Sequence, residues 1–123
     1  MPKKPTIAWM SEPDEHNFEA AGSYLGLLYD DATVKARVAQ LRRAPAAAFK
    51  AKDMFRASGL PLLGLSNVHL ERDREKIKAG EALAPLLLVR DSGNGRVIIA
   101  DGYHRMCAIY SYNEDAVIPC RIV

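Results

Sequence analysis

The apolar stretch Val97-Ile98-Ile99-Ala100 ends abruptly in Asp101-Gly102-Tyr103-His104-Arg105, and a helix-forming run, Met106-Cys107-Ala108-Ile109-Tyr110, follows at once. A buried strand that turns straight into a helix confines the chain to folds in which sheet and helix share a core. It also delivers an acid, a glycine, a histidine and an arginine to the first turn of a helix. Anions are favoured there, because the first N–H groups lack intrahelical acceptors and carry partial positive charge. Gly102 would let a ligand approach the backbone, and His104 and Arg105 would add donors.

The surrounding pattern extends this unit. Pro85 leads the apolar run Leu86-Leu87-Leu88-Val89, and Asp91-Ser92-Gly93-Asn94-Gly95 reads as a hairpin turn before the second strand. Val117 to Val123 reads as a terminal strand in which Pro119 suits an edge or bulge better than a central ladder position. Glu71 to Ala79 reads as a short charged helix ending at Gly80, preceded by a short strand over Asn67 to Leu70. The first half reads as helical. Phe18, Ala21, Leu25 and Leu28 recur at helical spacing from about Glu15 to Tyr29. Asp30 or Asp31 caps a second helix with the stripe Val34, Val38 and Leu41. Pro45 opens a third from about Ala46 to Ser58, which Gly59 and Pro61 stop. Residues 1–13 read as an extended arm that Trp9 and Met10 pin to the body. The expectation is one α+β domain over 1–123, with a helical extension (1–60) packed on a small mixed sheet (61–123).

Composition excludes several classes. The 123 residues suit one core, and 17 basic against 15 acidic side chains leave a net charge of only +2, too little to argue for a nucleic-acid surface. The charge is not lopsided either. Two cysteines, Cys107 and Cys120, are too few for a secreted disulfide scaffold, and they lie thirteen apart without a matching histidine pair for zinc. No apolar run approaches membrane-spanning length, and no signal-type segment follows Met1-Pro2-Lys3-Lys4-Pro5. A bacterial-style cytoplasmic protein with reduced thiols, no membrane role and no zinc-type ligand set is the expectation.

At the motif, local structure alone has a claim: Asp101 capping the helix, Gly102 making the turn, His104 and Arg105 in water. The strand-to-helix setting adds another. The N–H groups from Gly102 to Arg105, Tyr103 included, would hold a phosphate, and Arg105 would bind it bidentately. His104 would donate or move a proton. Asp101 would orient His104, hold Mg²⁺ beside the phosphate, or act as a base.

Residues from about Asn67 to Val123 resemble the ParB/sulfiredoxin superfamily. The resemblance rests on the charged helix ending in Lys76-Ile77-Lys78-Ala79-Gly80, the Pro85-led strand, the strand Val97–Ala100, and Asp101-Gly102-Tyr103-His104-Arg105 opening a helix. It implies a ParB/sulfiredoxin-like sheet and a nucleotide (ATP, ADP or CTP, with Mg²⁺) whose phosphates face Gly102, His104 and Arg105. Asp101 matches the kinase-like variant of the motif, and Glu71 stands where kinase-like relatives bring an acid toward the nucleotide. The departures are equally informative. Tyr103 occupies the position of the sulfiredoxin cysteine, which argues against sulfinic-acid repair. ParB partition proteins carry their DNA-reading helix-turn-helix after this domain, so the expectation is that DNA reading in the ParB manner has no obvious home within these 123 residues.

The remaining candidates have plain explanations. Glu71 favours a helix start through the dipole. His69 shares its strand face only if a strand runs that far. Arg72, Arg74, Lys76 and Lys78 alternate with Asp73 and Glu75, as on a solvated helix face. His16 with Asp14 and Glu15 suits a helix N-terminal turn. The expected function is therefore binding of a nucleotide or other phosphorylated small molecule at the motif, with phosphoryl transfer or hydrolysis as the chemistry it would support. The alternative is a non-catalytic adaptor, or a ParB-type regulatory module, acting through protein or DNA, with Tyr24, Leu25 and Leu28 between two copies of a homodimer.

Overall fold

Four consecutive apolar residues, Leu86 to Val89, are each 1% exposed or less. Such a run requires cover on both faces of its strand. The computed structural model, which describes residues 6–61 and 68–123, supplies that cover. In chain order the elements are α1 (Glu15–Leu25), α2 (Asp31–Arg43), β1 (Ala47–Lys50), α3 (Ala51–Ser58), α4 (Val68–Ala79), β2 (Leu86–Asp91), β3 (Arg96–Asp101), α5 (Tyr103–Tyr112) and β4 (Val117–Ile122). The strands form one mixed sheet in the order β1-β4-β2-β3. The outer pairs β1–β4 and β2–β3 are antiparallel, and the inner pair β2–β4 is parallel. The molecule is thus a small α+β fold, and its layers follow from strand alternation. Leu87, Val89, Ile98 and Ala100 pack with Phe18, Ala21, Leu25 and Leu41 of α1 and α2. Leu86, Leu88 and Ile99 pack with Met54 of α3, Ile77 of α4 and Met106 to Ile109 of α5. At about 1.5–3 kcal/mol per buried side chain, the four β2 residues contribute up to roughly 6–12 kcal/mol, an upper bound because unfolded chains are partly compact.

Local signals hold at several joints. The Asp30 carboxylate accepts the Thr33 N–H at 2.8 Å and caps α2. Gly59 closes α3 in the left-handed region, and a single turn of 3₁₀ helix over Ser92–Asn94 with Gly95 at φ +64° joins β2 to β3. The arm is pinned where expected. The Met10 N–H donates to Leu83 O at 2.8 Å and the Leu83 N–H to Ala8 O at 2.9 Å, with Trp9 bridged to Leu83. No helix among the described residues is long and apolar enough to cross a membrane.

Three expectations fail. The helix expected from Ala46 to Ser58 is a strand and then a shorter helix. Ala44, held extended before Pro45, is fastened by Arg121 of β4, which donates to its carbonyl at 2.5 Å. Ala47–Lys50 then finds the open edge of β4 (Ala47 opposite Cys120), and pairing outweighs the helix preference of alanine. The sheet therefore needs residues from both halves of the chain. Second, Val68 to Leu70 form the first turn of α4 instead of a strand, and Asn67 lies outside the described residues. Third, Pro119 sits in an inner strand. It is tolerated because the parallel pairing with β2 begins one residue later, at Cys120 opposite Leu86.

Candidate anion-binding cleft

The end of β3 carries an irregularity that determines what Asp101 touches. Leu88 pairs with Ile99, but Leu87 pairs with Asp101, so Ala100 is an extra residue in β3. Simple alternation would put Asp101 on the α5 face with Ile99. The bulge returns it to the face of Leu87, toward α1. There Asn17, 2% exposed, donates its Nδ2 to Asp101 Oδ2 at 3.0 Å while its Oδ1 accepts the Asp14 N–H at 2.8 Å. Arg105, one turn into α5, donates Nη2 to the same Oδ2 at 2.9 Å in an ion pair whose side chains are 16% and 14% exposed. Asp101 does not cap α5. Gly102 is the N-cap at φ +110°, without a side-chain cap.

Gly102 has a packing reason to be glycine. A Cβ there would lie 2.5 Å from Leu86 Cγ and 2.9 Å from Arg105 Nη2. The room left by its missing side chain is filled from within the protein, while Gly102 also lines the cleft in front of it. Tyr103 turns its hydroxyl to the Pro61 carbonyl and its ring to that of His104, with centroids 5.9 Å apart. Burial, then the neighbouring Cys107, pushes its hydroxyl above the usual tyrosine pKa range.

In front of this corner lies a polar cleft of about 210 Å³ between α4 and the start of α5. From α5 and β3 come Asp101, Gly102, His104 and Arg105; from α4 come Arg72, Asp73 and Lys76. Three permanent cations face two carboxylates. The first intrahelical bond of α5 runs from the Met106 N–H to Gly102 O. The N–H groups of Tyr103, His104 and Arg105 precede it and lie in the positive end of the helix dipole. The structure thus brings together four of the expected residues. Glu71 is exposed in the first turn of α4 and does not line the cleft. Its neighbours Arg72 and Asp73 do.

Arg72 and Lys76 are the site residues that sequence reasoning placed in solvent. Their signal is spacing: four apart, they share one face of a helix. Arg74, on another face, stacks over the Tyr112 ring at 4.9 Å. Reading the four bases as one alternating set hid that division. Asn17 offered no signal at all, because its partner is 84 residues away. Both cysteines are buried and outside any disulfide, and burial pushes the Cys120 thiol up to about 11.

No family model, curated protein or solved structure matches the chain.

Proposed function

We propose that the cleft between α4 and α5 binds a nucleotide or other phosphorylated small molecule through its phosphate. The observation that carries this reading is the facing of Arg72 and Lys76 toward the N-terminal turn of α5. An oxyanion held there would meet flexible cations on one side and backbone donors on the other. His104, exposed beside them, adds a donor. Arg105 contributes less directly than its place in the motif suggests, since one of its nitrogens already holds Asp101. Asp101 in turn acts here as a positioning group for Arg105. A volume of about 210 Å³ is below the roughly 300–1,000 Å³ of sites that enclose a drug-sized molecule, which supports a grip on the phosphoryl end. The resemblance to the ParB/sulfiredoxin superfamily supports the same end of the molecule.

The test is a thermal-shift panel of ATP, ADP, CTP and inorganic phosphate, with and without Mg²⁺, on the wild-type chain and on Arg72→Ala/Lys76→Ala. A ligand at about 100 times its Kd stabilises the native state by about 2.7 kcal/mol. Stabilisation that vanishes in the double variant supports the reading. Absence of any shift, or one retained in full by the variant, overturns it. Phosphate release in the same samples decides between binding and turnover. A second reading, a surface for a partner or another copy, is favoured by Leu27, 81% exposed next to the half-exposed Tyr24 and Leu28 at the end of α1. Leu25, expected in that patch, belongs to the core. A mass measurement in solution that changes on Leu27→Asp would support it.

A further inference from the structure

On β2, Leu86, Leu88 and Arg90 share one face of the sheet. The first two meet the core beneath α3 and α5, and Arg90 is exposed. Beside it, between α3 and the sheet, opens a second cleft of about 250 Å³. It lies toward the hairpin end of β2 and β3, away from the end where Asp101 pairs with Leu87. Its floor is Leu88, Val97 and Ile122, and its walls include Met54 and the half-exposed ring of Phe49. Leu88 and Ile122 are the last paired residues of the parallel contact between β2 and β4, at the carboxyl end of β4. The lining is apolar except for one cation, Arg90, and one carboxylate, Asp53 of α3. Among the described residues neither makes an ion pair. Lys52, next to Asp53, is committed to Asp115 at 2.9 Å.

From this arrangement we propose that the cleft binds a small zwitterion with an apolar side chain, of the class of a free apolar amino acid. The apolar body would cover Leu88, Val97 and Phe49, the carboxylate would meet the Arg90 guanidinium, and the ammonium would meet Asp53. One charge of each sign in an otherwise apolar lining complements a ligand that carries both. The volume, below that of drug-sized sites, selects a small molecule. The site is independent of the phosphate cleft.

Methyl NMR of the full chain, titrated with L-leucine and L-phenylalanine, tests this. Saturable shifts are expected at Met54, Leu88 and Val97. Arg90→Gln and Asp53→Asn, both surface changes, should each raise the Kd by about tenfold or more, as loss of a charge-assisted partner does. The deaminated acid 4-methylpentanoate and the decarboxylated amine 3-methylbutylamine should bind about tenfold more weakly than leucine by the same reasoning. Ala57→Trp, at an exposed lining position, should abolish the shifts without disturbing the rest of the spectrum, and Lys76→Ala should leave them unchanged. No saturable shift with either amino acid overturns the proposal. So does binding of the acid or the amine as tight as that of leucine, or an unaltered Kd in both charge variants.

Discussion

Replacing Gly102 by alanine tests the construction of the motif corner directly. Two costs are expected. A non-glycine residue at φ +110° carries strain of about 1–3 kcal/mol. The added Cβ would also stand 2.5 Å from Leu86 Cγ, a branch point inside a fully buried side chain that cannot swing away. Forcing a methyl into such packing costs about 1–3 kcal/mol more. The sum is centred near 4 kcal/mol, a large part of the roughly 5–15 kcal/mol that holds a domain folded. Gly80→Ala provides the control, because Gly80 has φ +75° and nothing within 4 Å of its would-be Cβ. It bears the backbone cost alone. Urea unfolding followed by circular dichroism measures both. With a slope of about 2 kcal/mol/M, Gly102→Ala should lower the midpoint by roughly 2 M, and Gly80→Ala by about half that or less. Adding Leu86→Ala should relieve part of the Gly102→Ala penalty, giving a favourable coupling of about 1–3 kcal/mol. If the two glycine variants lose the same stability, and Leu86→Ala brings no relief, the close packing of Gly102 on Leu86 is refuted.

Asn17→Ala removes a donor from Asp101 and an acceptor from the Asp14 N–H, and should cost about 1–3 kcal/mol in the same unfolding assay; an effect below about 0.5 kcal/mol would contradict the buried bond. Three carboxyls are held below their ordinary pKa range: Asp30 by the Thr33 N–H, Glu15 by the Arg42 side chain, and Asp91 by Arg96. Because their folded pKa values lie below the unfolded ones of about 4, their stabilisation is complete above about pH 5 and drains away as pH falls through the folded values. Melting temperatures from pH 6 downward should therefore drop less steeply in Asp30→Asn than in the wild type. The Cys120 thiol, pushed up to about 11 by burial and 1% exposed, should resist Ellman's reagent in the native protein and react at once in urea. The unfolded thiol ionises near 8.5, so stability should also decline as pH rises from there toward 11.

How far the chain could be read in advance depended on how local each determinant is. The β2–β3 hairpin, the turn into α5 and the caps at Asp30 and Gly59 are set by neighbours within a few residues, and they were legible. β1 was not. Ala47 to Lys50 carries no strand signal, and its conformation is dictated by an edge of β4 some 70 residues away. Likewise, the helical start of α4 at Val68 contradicts what Val68-His69-Leu70 suggests alone. The motif residues were legible as a set, but their division of labour was not. That division depends on Asn17, on the Ala100 bulge and on Leu86, none of which the motif contains.

The bulge at Ala100 is what separates the two roles of the corner. Without it, strand alternation would carry Asp101 to the α5 face, away from Asn17. With it, Asp101 is drawn toward α1, where Asn17 and Arg105 share one of its oxygens. The carboxylate nearest the α5 dipole is thus neutralised in place. A free carboxylate there would repel an incoming anion; a paired one does so much less. The cost is that Arg105 is partly spent inside the protein. The cleft then draws its surplus positive charge from α4, whose Arg72 and Lys76 stand one turn apart. The proposed anion binding would then rest on the pairing of two helices, while the Asp-Gly-Tyr-His-Arg element sets the geometry that brings both to one cleft.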